Sequence, residues 1–257
     1  ILEGIRKYLK PDNLIYSQGC DLAQTSSYRS WMGLGRAAGE QGWYATYYNT
    51  TDFTGPEVAH ARYRNAMKLY TFGGTAFKAG VNLENFSAVY KTSIKTPEAS
   101  QIEFDIKAAC TKIQLIVNGK VVMEAEGQLG DRDSTEPTYV LATEAGKSYD
   151  LEVRYVAGKG INALMFDMGN TVHFDDYQLL KQIRPADVVV FVGGISPGLE
   201  GEEMPVQIEG FRGGDRTDIQ LPRVQRDLIA KIHNAGKRIV YINCSGSAMA
   251  MVPEAEH

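Results

Sequence analysis

The strongest constraint on the fold is a strand–helix–strand pattern in the last part of the sequence. Residues 187–192 form a continuous apolar run, DVVVFV, which predicts a strand buried on both faces. Residues 221–234 have helical periodicity, with Pro222 near the start and Gly236 just past the end, as helix termini favour. Residues 238–243, RIVYIN, predict a second buried strand. This order favours a parallel βαβ unit, so an α/β structure is expected here.

The middle of the sequence consists of short segments that alternate in polarity or are rich in valine, isoleucine and tyrosine. Asn118 and Gly119 lie between two such segments, and they predict a two-residue hairpin with a type I′ turn, because both turn positions require positive φ. Repeated short strands separated by turns favour an antiparallel β-sandwich. The predicted strands are residues 44–49, 88–92, 101–107, 112–118, 121–124 and 148–156.

The first residues have the same α/β character as the last ones. The segment ILEGIRKYLKPDN predicts an amphipathic helix that ends at Pro11, and residues 14–17 predict a short strand. A further helix is predicted at residues 174–184, with a solvated start at Asp175 and Asp176. The two ends of the chain are therefore expected to belong to one domain.

The predicted fold class is α/β plus all-β. A partial α/β/α sandwich domain, residues 1–36 and 171–257, is interrupted by an inserted antiparallel β-sandwich domain, residues 37–170. Insertion is tolerated where the ends of an exposed loop lie close together. Two or three strands are few for a doubly covered sheet, so we expect the α/β domain to be truncated and the chain to begin within a fold.

Charge and composition exclude several classes of function. The formal net charge is −4, which disfavours nucleic acid and anionic membranes as partners, and no apolar run is long enough to span a bilayer. Three cysteines without CxxC spacing predict buried free thiols, with one disulfide possible in an exported protein. The four histidines are scattered without ligand spacing, so no metal site is expected. Gly193, Gly194 and Gly198 are interrupted by Pro197 and no helix starts there, so the dinucleotide fingerprint fails and no cofactor is expected.

One long loop carries a concentration of carboxylates. The first predicted strand of the βαβ unit is followed by GGISPGLEGEEM, in which Glu200, Glu202 and Glu203 lie within four residues. Ligand contacts gather at the carboxyl ends of strands in α/β sheets, and a long loop without regular structure is usually functional. Crowded carboxylates hinder one another's ionisation, which suits a general acid. The alternative is a solvated acidic loop without a chemical role.

Three segments resemble the second domain of glycoside hydrolase family 3, namely GGISPGLEGEEM, GFRGGDRTDIQLP and RIVYINCSGSAMA. In that family, a loop with a Gly-Glu pair and a downstream Asp-Arg supplies the acid/base. The resemblance places Glu202 on the Gly-Glu pair as the general acid/base, with Glu200 as the second choice. It also implies that Asp215 and Arg216 support the loop, and an ion pair is expected there.

The resemblance implies that the parent protein is an exo-acting retaining β-glycosidase that releases terminal β-linked glucose or xylose from short oligosaccharides. An N-terminal barrel domain, absent from this sequence, would supply the nucleophilic aspartate, so the chain alone is expected to be inactive. A periplasmic or secreted location is implied by the resemblance alone. The competing hypothesis is a non-catalytic carbohydrate-binding or protein-interaction module.

The middle zone resembles the protective-antigen (PA) type of β-sandwich that is inserted in some members of this family. The resemblance is carried by WYATYYN, IQLIVNGKVV and EAGKSYDLEVRYV. It implies a module that shapes the mouth of the active site, and Tyr70, Phe72 and Phe77 are candidate aromatics at that mouth, although a sandwich core explains them equally well. Residues 107–111, KAACT, offer almost no oxygen ligands, so no calcium-dependent sugar binding is expected.

Overall fold

The computed structural model describes residues 1–130, 136–201 and 206–255. The chain divides into two compact units. One unit consists of Ile1–Ser27 with Val172–His257, and the other consists of Tyr28–Thr171. The first is an α/β unit and the second is made almost entirely of strands.

The strands of the strand-rich unit form one connected antiparallel hydrogen-bonded sheet with a single apolar core. Its described strands are β1 (Ser26–Ser30), β2 (Arg36–Ala37), β3 (Glu40–Gln41), β4 (Trp43–Tyr48), β5 (Glu57–Tyr63), β6 (Met67–Tyr70), β7 (Ser87–Lys95), β8 (Ser100–Val117), β9 (Lys120–Leu129), β10 (Tyr139–Thr143), β11 (Ser148–Val156) and β12 (Ala163–His173). The main path of the sheet is β1-β12-β8-β11-β7-β2-β3, with β4, β5, β6, β9 and β10 paired alongside. The antiparallel β-sandwich predicted from the sequence agrees with this unit.

Alternation of side chains explains the core of this unit. Along β4, every second residue is buried, because successive side chains of a strand point to opposite faces. Trp43 and Tyr47 are completely buried, as their pattern predicts for core residues. The indole of Trp43 packs edge-on against Phe166, with 4.9 Å between ring centroids. Burial of such large rings contributes a major share of the stabilising free energy.

Strand β8 differs from the two strands predicted at residues 101–107 and 112–118. The backbone stays extended through Cys110 and Thr111, and the register with β9 shifts between Cys110 and Lys112. Such a bulge bends a strand without ending it. Because β8 is continuous, one end of it pairs with β12 and the other end pairs with β11.

The hairpin between β8 and β9 has the predicted turn. Asn118 has φ 49° and Gly119 has φ 78°, so both turn residues lie in the left-handed region that a type I′ turn requires. The Oδ1 atom of Asn118 also accepts a hydrogen bond from the backbone N–H of Asp150, at 2.8 Å. This contact joins the turn to the neighbouring strand β11.

The α/β unit contains the predicted parallel pair. Its described elements are α1 (Leu2–Arg6), α2 (Asp176–Gln182), β13 (Val188–Gly194), β14 (Gln207–Ile208), β15 (Phe211–Arg212), β16 (Asp215–Arg216), α3 (Arg223–Asn234), β17 (Arg238–Cys244) and α4 (Val252–Ala255). Strands β13 and β17 pair in parallel, from Val188 opposite Arg238 to Gly194 opposite Cys244. The βαβ prediction is therefore confirmed, and Asp175 caps α2 by accepting a hydrogen bond from Gln178 N.

The expectation that β13 is buried on both faces is wrong. Val189 and Phe191 pack with α2 and α3 in one apolar cluster, but Val188, Val190 and Val192 alternate with them and are 37–48% exposed. Val240 of β17 is also exposed, at 51%. In the described part of the chain, both helices of the cluster cover the same face of this two-stranded sheet.

Two predictions for the first residues are also wrong. Helix α1 ends at Arg6, and Pro11 begins a separate short 3-10 helix, Pro11–Asn13, because proline is favoured at a first helical position. Leu14 has extended dihedral angles, but residues 14–17 form no ladder with a described strand. An extended segment without a partner is not a strand.

Among the described residues, no helix has both the length and the apolar character needed to cross a bilayer.

Candidate functional site

The carboxyl end of β13 is built for close backbone approach. Gly194 has φ 128°, and a Cβ atom placed on it would lie 2.1 Å from the carbonyl oxygen of Cys244 on β17. A Cβ on Gly193 would lie 2.4 Å from Oε1 of Gln225. Glycine is therefore required here for packing as well as for conformation. These two glycines set the point at which the acidic loop leaves the sheet.

Gln225 of α3 fixes this point. Its side chain is buried, its Oε1 atom accepts the N–H of Gly194 at 2.8 Å, and its Nε2 atom donates to the carbonyl of Gly194 at 2.7 Å. Nε2 also donates to the carbonyl oxygen of Leu22. Burial of an amide is stabilising only when its hydrogen-bonding groups are paired, as they are here.

The acidic loop begins with a tight turn. Backbone N–H groups of Leu199 and Glu200 donate to the carbonyl of Ser196, at 2.9 and 3.3 Å. Glu200 is half-buried, and its Oε2 atom accepts a hydrogen bond from the hydroxyl of Ser247 at 2.8 Å. Glu202, the first candidate for the acid/base, lies outside the described residues, as does Glu203. Within the described residues, Glu200 is the carboxylate whose position in this loop is known.

A small antiparallel meander, β14-β15-β16, follows the loop. Gly201 N donates to the carbonyl of Gly214 at 3.0 Å, and Gly213 N donates to that of Val206 at 2.8 Å. Asp215 lies opposite Arg212 in the β15–β16 pairing, and it is exposed. These bonds attach the acidic loop to the meander, which keeps the long connection between β13 and α3 compact.

Arg216 contacts the segment after β17. Its guanidinium donates to the carbonyl oxygens of Ala248 and Gln220, the latter at 3.0 Å, and Nη1 lies 3.4 Å from the hydroxyl of Ser247. No carboxylate in the described parts of the chain lies within ion-pair distance of it. Within the described residues Arg216 therefore binds backbone carbonyls, for which its several donors are well suited, and it forms no ion pair with Asp215. An ion pair of Arg216 with Glu202 or Glu203 would involve residues outside the described ones, so the expected ion pair stays a prediction.

Three segments thus meet at one edge of the sheet, namely the acidic loop, the meander and residues 245–249. The loops follow β13 and β17, whose parallel pairing brings their carboxyl ends together. A cavity of about 30 Å³ lies between the meander and the start of α3, with Phe211, Arg216 and Arg223 among its lining residues. That volume holds about one water molecule, so a sugar ring does not fit in it.

The three candidate aromatics of the sandwich unit differ in exposure. Tyr70 is 54% exposed and Phe72 is 69% exposed, so both rings are available for contact. Phe77 is only 5% exposed, and its ring lies 5.0 Å from Phe86 and 5.4 Å from Tyr155, measured between centroids. Phe77 is corrected to a core residue. Because its ring packs inside the sheet, Phe77 is not accessible to a sugar.

Asn162, which no sequence pattern marks as important, fixes the loops near these aromatics. It is buried, and its Nδ2 atom lies 3.1 Å from each of three carbonyl oxygens, those of Leu83, Gly158 and Gly160. Its backbone N–H donates to the hydroxyl of Thr71, at 2.9 Å. Thr71 lies between Tyr70 and Phe72, so this network orders the segment that presents both exposed rings.

Residues 107–111, where no calcium ligands are expected from the sequence, lie within strand β8. Ala108 and Ala109 of this stretch pair with β12, and no acidic side chain occurs in it. Across residues 1–130, 136–201 and 206–255, no cluster of three or more His, Cys, Asp or Glu side chains is arranged to hold a metal ion.

Comparison with known proteins shows which protein family this sequence matches. A family model described as "Glycosyl hydrolase family 3 C-terminal domain" matches residues 1–257. A xylan 1,4-beta-xylosidase from Xylanibacter ruminicola is 35% identical over 259 residues, which cover 100% of this chain and 29% of that protein. A probable exo-1,4-beta-xylosidase from Neosartorya fischeri is 34% identical over 159 residues, which cover 54% of this chain and 18% of that protein.

A solved structure is similar in fold. The crystal structure of a β-glucosidase from Kluyveromyces marxianus superposes with a TM-score of 0.59, covering 93% of this chain and 27% of that chain at 15% sequence identity. At this identity the likeness concerns the fold alone. The chain spans less than a third of the length of each of these proteins.

Proposed function

Because the chain belongs to the glycosyl hydrolase family 3 C-terminal domain family, we propose that its full-length protein is an exo-acting retaining β-glycosidase. This chain contributes the general acid/base, and the substrates are short oligosaccharides with a terminal β-linked xylose or glucose. The observation that carries the proposal is the acidic loop: it leaves the carboxyl end of β13, and the Glu200 carboxylate in it is held by Ser247. The two xylosidase relatives favour xylose over glucose.

Glu202 is the first candidate for the acid/base and Glu200 is the second. Glu202 is supported by its place in the Gly-Glu pair, whereas Glu200 is supported by its half-buried position at the edge of the sheet. Both residues lie in the same loop, so the loop as a whole brings a carboxyl group towards the substrate. Variants of each residue separate the two assignments.

The proposed reaction has two steps. First, an aspartate of another domain attacks the anomeric carbon, the glycosidic C–O bond breaks, and the leaving oxygen takes the proton of the glutamic acid. Second, the resulting glutamate takes a proton from water while the water oxygen attacks the anomeric carbon and releases the aspartate. The glutamic acid is regenerated, and two displacements retain the β configuration.

A partner domain is needed because this chain contributes only one of the two catalytic carboxyl groups. A retaining mechanism places its two carboxyl groups about 5–5.5 Å apart, and the acidic loop contains only glutamates proposed for the acid/base role. We propose that an N-terminal barrel domain of the same polypeptide supplies the nucleophile and most sugar contacts. The chain alone is therefore expected to be inactive.

We propose that the sandwich unit is an inserted PA-type module that shapes the mouth of the active site. The module, expected at residues 37–170, corresponds in this proposal to the compact unit Tyr28–Thr171, and the α/β domain, expected at residues 1–36 with 171–257, corresponds to Ile1–Ser27 with Val172–His257. Tyr70 and Phe72 are the aromatics of this proposal, because exposed rings stack on the apolar faces of sugars and Asn162 orders the segment between them. A module of this kind favours short substrates over polymers.

The test is turnover by variants of the full-length protein. With p-nitrophenyl β-xyloside and xylobiose, either Glu202→Gln or Glu200→Gln is expected to lower kcat/KM for xylobiose about 10²- to 10⁴-fold, which is the usual contribution of general acid catalysis. Glu209→Gln is the matched control, since Glu209 is an exposed carboxylate of the same segment that pairs with Arg223 at 3.5 Å. Full activity of both the Glu202 and Glu200 variants would rule out the acid/base role and favour a non-catalytic module.

A further inference from the structure

Ser247 connects two of the functional candidates. Its hydroxyl donates to Oε2 of Glu200 at 2.8 Å and accepts a hydrogen bond from Nη1 of Arg216, which lies 3.4 Å from Oγ of Ser247. A serine hydroxyl has one proton to donate and two lone pairs that accept, so it can satisfy both neighbours at once. Ser247 therefore joins the acidic loop to the arginine of the meander.

The position of Ser247 is itself fixed by its own segment. The hydroxyl of Ser245 donates to the carbonyl of Ser247 at 2.8 Å and accepts the N–H of Ser247 at 3.2 Å. Arg216 in turn is anchored to the carbonyl oxygens of Ala248 and Gln220. The donor that faces Glu200 is thus held before any substrate binds, which is the property required of a positioning group.

We propose that Ser247 is a positioning residue for the acid/base loop, which it holds through the carboxylate of Glu200. This inference rests on the proposed glycosidase function and deepens it. If Glu200 is the acid/base, Ser247 sets the direction of the reacting carboxyl group directly. If Glu202 is the acid/base, Ser247 anchors the loop two residues before it.

The hydroxyl of Ser247 orients the Glu200 side chain and contributes little to the stability of the fold. Ser247 is half-buried on a surface segment, and replacing it with alanine removes the oxygen without opening an apolar cavity. The other bonds of the loop, such as that from Gly201 N to the carbonyl of Gly214, are between backbone groups and stay in place. A change at Ser247 therefore acts on the Glu200 side chain and leaves the loop backbone attached.

The experiment uses Ser247→Ala in the full-length protein and compares two substrates. Phenyl β-xyloside has a poor leaving group that needs protonation, whereas 2,4-dinitrophenyl β-xyloside leaves without help from an acid. Loss of acid positioning is expected to lower kcat/KM for the phenyl substrate at least about 10-fold, and to change it less than about 3-fold for the dinitrophenyl substrate. Ser247→Thr, which keeps the hydroxyl, is expected to restore most of the loss.

Controls separate the possible outcomes. Ser17→Ala, at an exposed serine of the same unit, is expected to leave both rates unchanged. An equal fall for both substrates, accompanied by a lower thermal midpoint of the variant, would show a structural role and overturn the proposal. Unchanged kcat/KM for the phenyl substrate would overturn it as well. If the wild-type protein hydrolyses neither xyloside, the proposed function itself fails, which is a separate result.

Discussion

The side-chain amide of Gln225 is bonded to both backbone groups of Gly194. Oε1 accepts the N–H at 2.8 Å and Nε2 donates to the carbonyl at 2.7 Å. Gly194 is the last residue of β13, and Gln225 lies on α3, which packs on the sheet. This one side chain therefore determines where the acidic loop starts relative to the helix beneath it.

Replacing Gln225 with methionine is expected to loosen the end of β13. The change keeps the volume but leaves the buried N–H and carbonyl of Gly194 without partners, at a cost of about 2 kcal/mol. Amide hydrogen exchange at Gly194 is the direct measurement, and it should become about 30-fold faster. Gln178→Met, at an exposed glutamine of α2, is the control, and equal protection of Gly194 in both variants would contradict the role of Gln225.

Truncation of two phenylalanines of the sandwich unit is expected to change its stability by very different amounts. Phe77→Ala creates a cavity between Phe86 and Tyr155, and it should lower the free energy of unfolding by about 3–5 kcal/mol. Phe72→Ala should change it by less than about 0.5 kcal/mol, because the ring is 69% exposed. Urea unfolding followed by tryptophan fluorescence reports on this unit, which contains Trp31 and Trp43. A destabilised Phe72 variant would conflict with the exposed position of that ring.

Because Val190 is exposed and Val189 packs against the helices, substitutions at these two neighbouring positions of β13 are expected to differ in their effect on stability. Val190 is 41% exposed, whereas Val189 packs against the cluster that contains α3. In this chain, Val190→Thr should reduce binding of an apolar dye such as ANS and leave the thermal midpoint unchanged. Val189→Thr should lower the free energy of unfolding by about 1 kcal/mol, since it places a hydroxyl on the half-buried side of the strand, against an apolar cluster. Equal destabilisation by both changes would mean that both faces of β13 are covered.

The three cysteines are expected to differ in alkylation rate. Burial raises the pKa of the Cys20 thiol to about 11, with further contributions from Asp21 and Asp176, and burial raises that of Cys110 to about 11. The thiolate is the reactive form, so only about 0.1% of each thiol is reactive at pH 8, and the rate should rise about tenfold per unit up to pH 10. Cys244 is exposed, which differs from the predicted buried thiol.

Mass spectrometry after iodoacetamide treatment measures these rates site by site. Cys244 should be labelled first at pH 8, while Cys20 and Cys110 react slowly in the folded chain. Cys244→Ser removes the fast site and serves as the control. Faster labelling of Cys20 than of Cys244 at pH 8 would contradict the burial of Cys20.

Much of the fold could be predicted from local sequence patterns. The parallel pair β13–β17 follows from apolar runs separated by a capped helix, and the β8–β9 turn follows from Asn118 and Gly119, whose positive φ values few other residues accept. The continuity of β8 did not follow, because a bulge depends on the register of the partner strand. The exposure of Val190 did not follow either, since an apolar run does not reveal which of its faces has a neighbour.

The candidate site was predictable only in part. The acidic loop is a concentration of carboxylates after a strand, and that pattern is visible in the sequence. Ser247 and Gln225 carry no such local pattern, and their roles come from contacts to residues that are distant in sequence, Glu200 and Gly194. The parallel register that places Cys244 opposite Gly194 brings the serine segment to the acidic loop. A prediction of that register would have located residues 245–249 near the site.

Rescue by azide tests the central claim most directly. Glu202→Ala and Glu200→Ala of the full-length protein are incubated with 2,4-dinitrophenyl β-xyloside, with and without sodium azide, and the products are identified by proton NMR. Whichever residue is the acid/base, its alanine variant is predicted to gain about 10-fold or more in kcat with azide and to release β-xylosyl azide, because azide attacks the glycosyl-enzyme without a base. Xylose as the sole product of both variants, at unaltered rates, would contradict the account.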